Sequence, residues 1–321
     1  MENRKLGNST INVSALSLGS WNTFSRLSFE SGAALIEKAY KAGINFFDVA
    51  YYRDKPHTEV LFGRELEQSG VPRDDISIAS KVWFFSYPEE SLSDQFDRNL
   101  VRLGLDQTET LICEHPRDGM EVVEIAEEMG EIVQSGRTKT WGCLNWKAED
   151  LLTAYRHNKK KGYPVPTIVQ LKYSLVRRNV VEGSEYQSVL EETGIGVHAS
   201  DSLEGGILTG RINRERKIGL DIGGIRQQII DKVPKITEAA EKLGVTPAQF
   251  GLAFVLSSPQ VSSLLFGATT EQQILDNVEA VKLAQEKSED IRTLAEGLGV
   301  DGHEIDPPYG HDKALTDDFV A

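Results

Sequence analysis

What most constrains the fold of this chain is an alternation. Short runs rich in β-branched residues are followed by longer stretches whose apolar residues recur at helical spacing, over nearly all of the 321 residues. The predicted strands are Ala15–Ser20, Phe46–Ala50, Ile76–Val82, Thr110–Glu114, Lys139–Leu144, Ile168–Leu171, Gly196–Ala199 and Ser263–Gly267. The predicted helices fill the gaps. Ser31–Gly43 carries Ala34, Ile36, Ala39 and Tyr40 and ends on a glycine suited to the position after a helix. Thr58 is placed to cap Glu59–Gln68, and Ser91 to cap a helix reaching Leu103. Glu121–Ser135, Ala148–Asn158, Gln187–Thr193, Pro234–Leu243, Pro247–Leu256 and Glu271–Val281 continue the series. Eight strands, each followed by helix, is the count of an α/β (β/α)8 TIM barrel. An open doubly wound sheet would show a glycine-rich phosphate loop after its first strand, and Gly19-Ser20-Trp21-Asn22 is not one. With no linker composition and no internal repeat, residues 1–321 read as a single domain. Residues 301–321 read as an acidic extended tail.

Charge narrows the function. Lysine and arginine number 35 against 49 aspartates and glutamates, a net −14. That argues against nucleic acid and against electrostatic binding to anionic membranes. Cys113 and Cys143 fall in apolar strand-like runs and read as buried free thiols. No secretory leader heads the sequence, and no apolar run approaches the ~18 residues of a membrane span. The expectation is a cytoplasmic protein with a small-molecule substrate. Oligomeric state is not legible. His303 and His311 in the tail read as surface histidines, and no metal site is expected.

In barrels of this kind chemistry lies at the carboxyl ends of the strands. Those ends carry Asp48, Lys81, Glu114-His115, Asn145-Trp146, Gln170 with Tyr173, and Asp201. Asp48 beside Lys81 reads either as a structural ion pair or as a device that lowers the pKa of a nearby phenol. Trp21, Trp83, Phe84, Phe85, Tyr87 and Trp146 fall on strand-end loops, where aromatics suit a flat apolar ligand or simple packing. Arg53, Arg177 and Arg178 suit an anionic substrate or a solvated surface.

These residues carry a family resemblance. Leu6-Gly7, Leu16-Ser17-Leu18-Gly19-Ser20-Trp21, Gly43-Ile44-Asn45-Phe46-Phe47-Asp48, Trp141-Gly142, Gln170-Leu171-Lys172-Tyr173, Gly206-Ile207-Leu208-Thr209-Gly210-Arg211 and Gly267-Ala268-Thr269-Thr270 resemble aldo-keto reductases in order and spacing. The nearest branch is that of the potassium-channel beta subunits, and the match covers nearly the whole chain. The resemblance implies a barrel that binds NADP(H), passes hydride to a carbonyl and takes a proton from a tyrosine. It puts Asp48 and Lys81 in the catalytic tetrad. It puts Asn145 and Gln170 on the cofactor carboxamide and Tyr173 against the nicotinamide. Arg211 falls near the phosphates, and Thr269, Gln273 and Asn277 near the adenosine end. Trp21, Trp83, Phe84, His115 and Trp146 become substrate-wall candidates.

The chain departs from the family at four positions. The tyrosine's place falls on Arg53, with Tyr52 one residue earlier, and the histidine's place falls on Glu114. A carboxamide-binding serine appears as Leu144, and a serine near the pyrophosphate as Asp201. Arginine is no proton donor at neutral pH, so the donor is either Tyr52 or Glu114. A glutamate at the histidine's place accompanies reduction of a conjugated C=C bond in one steroid-reducing branch. Three functions fit: a carbonyl or enone reductase; a redox-neutral lyase, isomerase or cyclase using Glu114, Lys81 and Arg53; or a non-catalytic binding or regulatory subunit.

Overall fold

The computed structural model describes residues 1–210 and 225–300. An antiparallel hairpin, β1 (Asn3–Lys5) and β2 (Asn12–Ser14), precedes the barrel. Eight parallel strands then close on one another: β3 (Leu16–Gly19), β4 (Phe46–Asp48), β5 (Ser77–Val82), β6 (Thr108–Glu114), β7 (Thr138–Leu144), β8 (Pro166–Lys172), β9 (Gly196–Ser200) and β10 (Val261–Phe266). Each follows its predecessor in space, and β10 pairs with β3 to shut the ring. The predicted (β/α)8 architecture is therefore what the chain adopts.

The helices follow from local signals. α1 (Phe29–Lys41) starts two residues before the predicted Ser31 because Ser28 accepts the Ser31 N–H as cap. Thr58 does not cap α2 (Thr58–Ser69): it is the first helical residue, and its hydroxyl donates to the Lys55 carbonyl. Ser91 does cap α3 (Leu92–Leu103). α4 (Val122–Gln134), α5 (Ala148–Lys161), the short α6 (Asn179–Glu182) and α7 (Ser184–Thr193) come next. α8 (Ile225–Leu243) runs straight through Pro234, where a start was predicted. The buried stripe Ile225, Ile229, Val233, Ile236, Ala240 continues across the proline, and packing outweighs one lost backbone bond. α9 (Pro247–Leu256) has a complete capping box between Thr246 and Gln249. α10 (Glu271–Leu294) extends well past the predicted Val281, with a break in helical geometry at Lys287.

The core has two parts. The larger lies between strands and helices and includes Cys113 and Cys143, both buried free thiols as expected. The smaller joins Leu6 and Val13 at the hairpin to Phe46, Ala79, Ile112 and Ile168, all fully buried. It plugs the amino-terminal part of the barrel interior. Gly7 makes that plug possible: it has φ +55, and a Cβ there would lie 1.7 Å from the Thr167 carbonyl oxygen. Among the described residues no helix is long and apolar enough to cross a membrane.

Candidate active site

Side chains on a strand alternate between faces, so the residue two positions beyond each barrel-strand member of the apolar plug also points inward. Those residues are Asp48 on β4, Lys81 on β5, Glu114 on β6 and Gln170 on β8. The interior thus changes from apolar to polar in one step toward the carboxyl end. Asp48 is 1% exposed and Lys81 5%. Their contact, Nζ to Oδ1, is 2.5 Å. The Gln170 amide donates to the other oxygen, Oδ2, at 2.8 Å. Burial alone would raise the Asp48 carboxyl. The Lys81 charge, with the hydrogen bonds from Lys81 and Gln170, outweighs it and holds the group below its ordinary value. Asp48 is therefore an anion, and Lys81 its cation.

Tyr52 lies in the loop after β4. Burial first, then the Asp48 charge, push its phenol well above the ordinary tyrosine value, with the Ser20 hydroxyl opposing. A phenol lowered by Lys81, one of the two readings of the Asp48–Lys81 pair, is not what this geometry produces: burial and the Asp48 charge raise the Tyr52 phenol instead. Arg53, which occupies the tyrosine's place by spacing, is exposed and does not join the buried pair. Its guanidinium lies over the Phe85 ring, 4.5 Å from the centroid. An aromatic wall surrounds Tyr52: Trp21 at 6.4 Å and Trp83 at 6.2 Å between centroids, with Trp83 stacked on Phe85 at 5.4 Å. Trp21 is 44% exposed at the edge of this wall.

Other candidates sit elsewhere. Glu114 is buried and accepts the Phe84 backbone N–H at 2.8 Å, with Arg117 at 3.9 Å. His115 is buried beside it in sequence. Phe84 and Trp146 are corrections: both are core residues. Phe84 packs edge-on against Tyr87. Trp146 is sealed against Trp141, with its indole N–H on the carbonyls of Cys113 and Glu114. Tyr173 is a further correction. Its ring packs on Phe254 of α9 and its hydroxyl donates to Glu182 at 2.6 Å, so it is wholly buried among the helices and offers no face to a nicotinamide. Arg177 pairs with Glu204, and Arg178 lies over Phe254 while donating to the Leu175 and Ala295 carbonyls.

At the carboxyl end the backbone is strained at four non-glycine residues: Asn22, Asn145, Asp201 and Glu204 have φ of 57, 54, 51 and 49°. Each follows a barrel strand on this face, where such strain commonly marks function. Asn145 is half-buried and its side-chain amide has no partner among the described residues. Asp201 lies 3.9 Å from the Lys172 ammonium. Thr269 donates its N–H to the Gln273 side-chain carbonyl at 2.8 Å beside the start of α10, and Asn277 is buried on the same helix. Arg211, His303, His311 and the predicted tail lie outside the described residues. Among those that are described, no cluster of His, Cys, Asp or Glu forms a metal-binding group.

Sequence reading missed His198. It is wholly buried, and its Nδ1 meets the Gln170 amide nitrogen at 2.9 Å while Nε2 meets the Ser17 hydroxyl at 2.7 Å. The signal was a lone polar residue amid the apolar run Gly196–Ala199. A cavity of about 760 Å³ opens at the opposite end of the barrel, lined by residues such as Arg4, Gln260 and Ser262, and contains none of the candidates.

The sequence pattern of the Aldo/keto reductase family matches residues 15–297. The chain belongs to the aldo/keto reductase family. Similar family members include a protein named probable voltage-gated potassium channel subunit beta from Arabidopsis thaliana, 29% identical over 300 residues that cover 88% of this chain and 91% of that one. One of the same name from Oryza sativa subsp. japonica is 28% identical with the same coverage. A putative voltage-gated potassium channel subunit beta from Schizosaccharomyces pombe is 26% identical over 311 residues, 90% of each chain. Aldo/keto reductase membership agrees with the closed barrel and with polar strand ends on its carboxyl face.

Proposed function

We propose that this chain is an NADP(H)-dependent oxidoreductase that reduces a carbonyl or conjugated enone of a small organic molecule. The observation that carries the reading is the buried Asp48–Lys81 pair at 2.5 Å near a half-buried Tyr52 whose phenol is protonated at neutral pH. NADPH, when bound, would supply the hydride. Every other part is played by the chain. Tyr52 holds a proton at its phenol and gives it to the reduced substrate. Lys81 keeps a fixed positive charge near the reacting centre because Asp48 stabilises it in place. Trp21, Trp83 and Phe85 exclude water and favour a flat, apolar substrate.

The residues present fit the cofactor. The Asn145 amide is unengaged, and the Gln170 carbonyl oxygen has no donor among the described residues, so both can meet a carboxamide. The start of α10, with Thr269 just before it and Gln273 and Asn277 on its first two turns, suits a phosphate at the adenosine end. Lys172 answers the Asp201 charge that would otherwise repel the pyrophosphate.

The test is stoichiometry: NADPH consumption and product formation, measured together over a panel of ketones and enones. Equal amounts support a reductase. Product without NADPH loss assigns redox-neutral chemistry to Glu114 and Lys81 instead. The names of the relatives favour a second reading, a binding or regulatory subunit. NADPH binding with no turnover on any member of the panel is the result that reading expects.

A further inference from the structure

The geometry points to His198 as a positioning residue: by engaging the second N–H of Gln170 it leaves only that amide's carbonyl for a ligand, so the site selects a hydrogen-bond donor. The inference rests on the cofactor reading above for the identity of the ligand, but not for the arrangement of protons.

Ionised Asp48 only accepts, so the half of the Gln170 amide that faces its Oδ2 at 2.8 Å is the amino group. The same nitrogen lies 2.9 Å from His198 Nδ1. Its two hydrogens therefore go to Asp48 and to His198, and Nδ1 must be bare. The imidazole proton then sits on Nε2 and is donated to Ser17 Oγ at 2.7 Å. Burial lowers the His198 pKa to about 4, against the pull of Asp48, which agrees with a neutral ring. Phe46 packs on the ring from below, 5.1 Å between centroids, and restricts its rotation. Glu114, Leu144, Gln170 and His198 are successive register partners across β6, β7, β8 and β9, so the relay lies in the ring that includes Glu114. With no hydrogen left on the amino group, Gln170 can accept a hydrogen bond from a ligand and cannot donate one. A carboxamide, which carries N–H donors, matches that acceptor. A carboxylate or a methyl ketone at the same position does not.

The experiment compares NADPH with its 3-acetylpyridine and nicotinic-acid analogues by equilibrium binding to the full chain, in wild type, His198→Leu and His198→Asn. Wild type should prefer NADPH over the acetylpyridine analogue by a margin that shrinks about tenfold in His198→Leu, roughly the worth of one hydrogen bond. His198→Asn, whose side-chain carbonyl can replace Nδ1 as acceptor, should restore the preference. An unchanged preference in His198→Leu overturns the proposal. A second readout needs no cofactor and no folded variant: long-range ¹⁵N correlation of the histidine rings in the wild-type chain. A bare Nδ1 and protonated Nε2 at neutral pH support the assignment; a proton on Nδ1 overturns it. A bare Nδ1 in a chain that binds no NADPH would sink the cofactor reading while upholding the hold of His198 on Gln170.

Discussion

Phe46 and Asp48 stand two residues apart on β4, face the same barrel interior, and do opposite things. The first belongs to a dry plug with Leu6, Val13, Ala79, Ile112 and Ile168. The second belongs to a hydrogen-bonded ring with Lys81, Gln170 and His198. The same step separates Ala79 from Lys81, Ile112 from Glu114 and Ile168 from Gln170. Apolar burial closes the amino half without needing any partner. The polar half is stable only because each buried group is satisfied by the next, since an unpaired charge there would cost several kcal/mol. The barrel thus separates an apolar plug from a polar ring, one residue step apart on each of four strands.

Tyr52→Phe should have the largest effect. If the polar ring and its loop are catalytic, turnover falls by about 10²–10⁴-fold with KM nearly unchanged, and urea unfolding shows native stability. Full activity in this variant would move the proton donor to Glu114. Ile112→Ala should do the reverse. It costs about 3 kcal/mol of stability through transfer and cavity terms, read by denaturant midpoint, while the folded protein binds cofactor as before. A loss of affinity at full occupancy of the native state would show that the two layers are not separable.

Proton linkage sharpens the contrast further. The folded pKa of His198, about 4, lies below its ordinary 6.5. Between those values the unfolded chain takes up a proton that the folded chain refuses, so stability falls as pH falls through that window. Relative to His198→Met, wild type should lose about 2 kcal/mol between roughly pH 7.5 and pH 5. The penalty of Ile112→Ala should not change over the same range, because nothing in the plug titrates. The smallest effect concerns Leu144. It lies in register between Glu114 and Gln170 yet packs against the apolar plug, an intrusion of one layer into the other. Leu144→Ser should tighten NADPH binding by about threefold, a modest hydrogen bond, as read by fluorescence titration.

Much of this was legible in the sequence, and for a physical reason. Strand and helix periods are local, so all eight barrel strands and the positions of Asp48, Lys81 and Gln170 at strand ends follow from spacing. What failed depended on contacts distant in sequence. Tyr173 and Trp146 sit at strand ends like the other candidates, but their rings are claimed by Phe254 and by Trp141. Spacing also favoured Arg53 over Tyr52, because counting positions does not show which loop residue turns inward. His198 acquires meaning only once β8, β9, β3 and β4 surround it, and no local pattern announces that. Pro234 misled because proline usually opens a helix, whereas here the buried stripe of α8 carries across it.

The most direct measurement is a titration of the full chain with NADPH, followed by quenching of tryptophan fluorescence, with NADH as the control. Trp21 and Trp83 stand beside Tyr52 and should report an occupied site. The account predicts saturable, low-micromolar binding of NADPH. No binding at millimolar cofactor would contradict it, and would leave the polar ring as the core of a barrel whose chemistry, if any, runs without a nicotinamide.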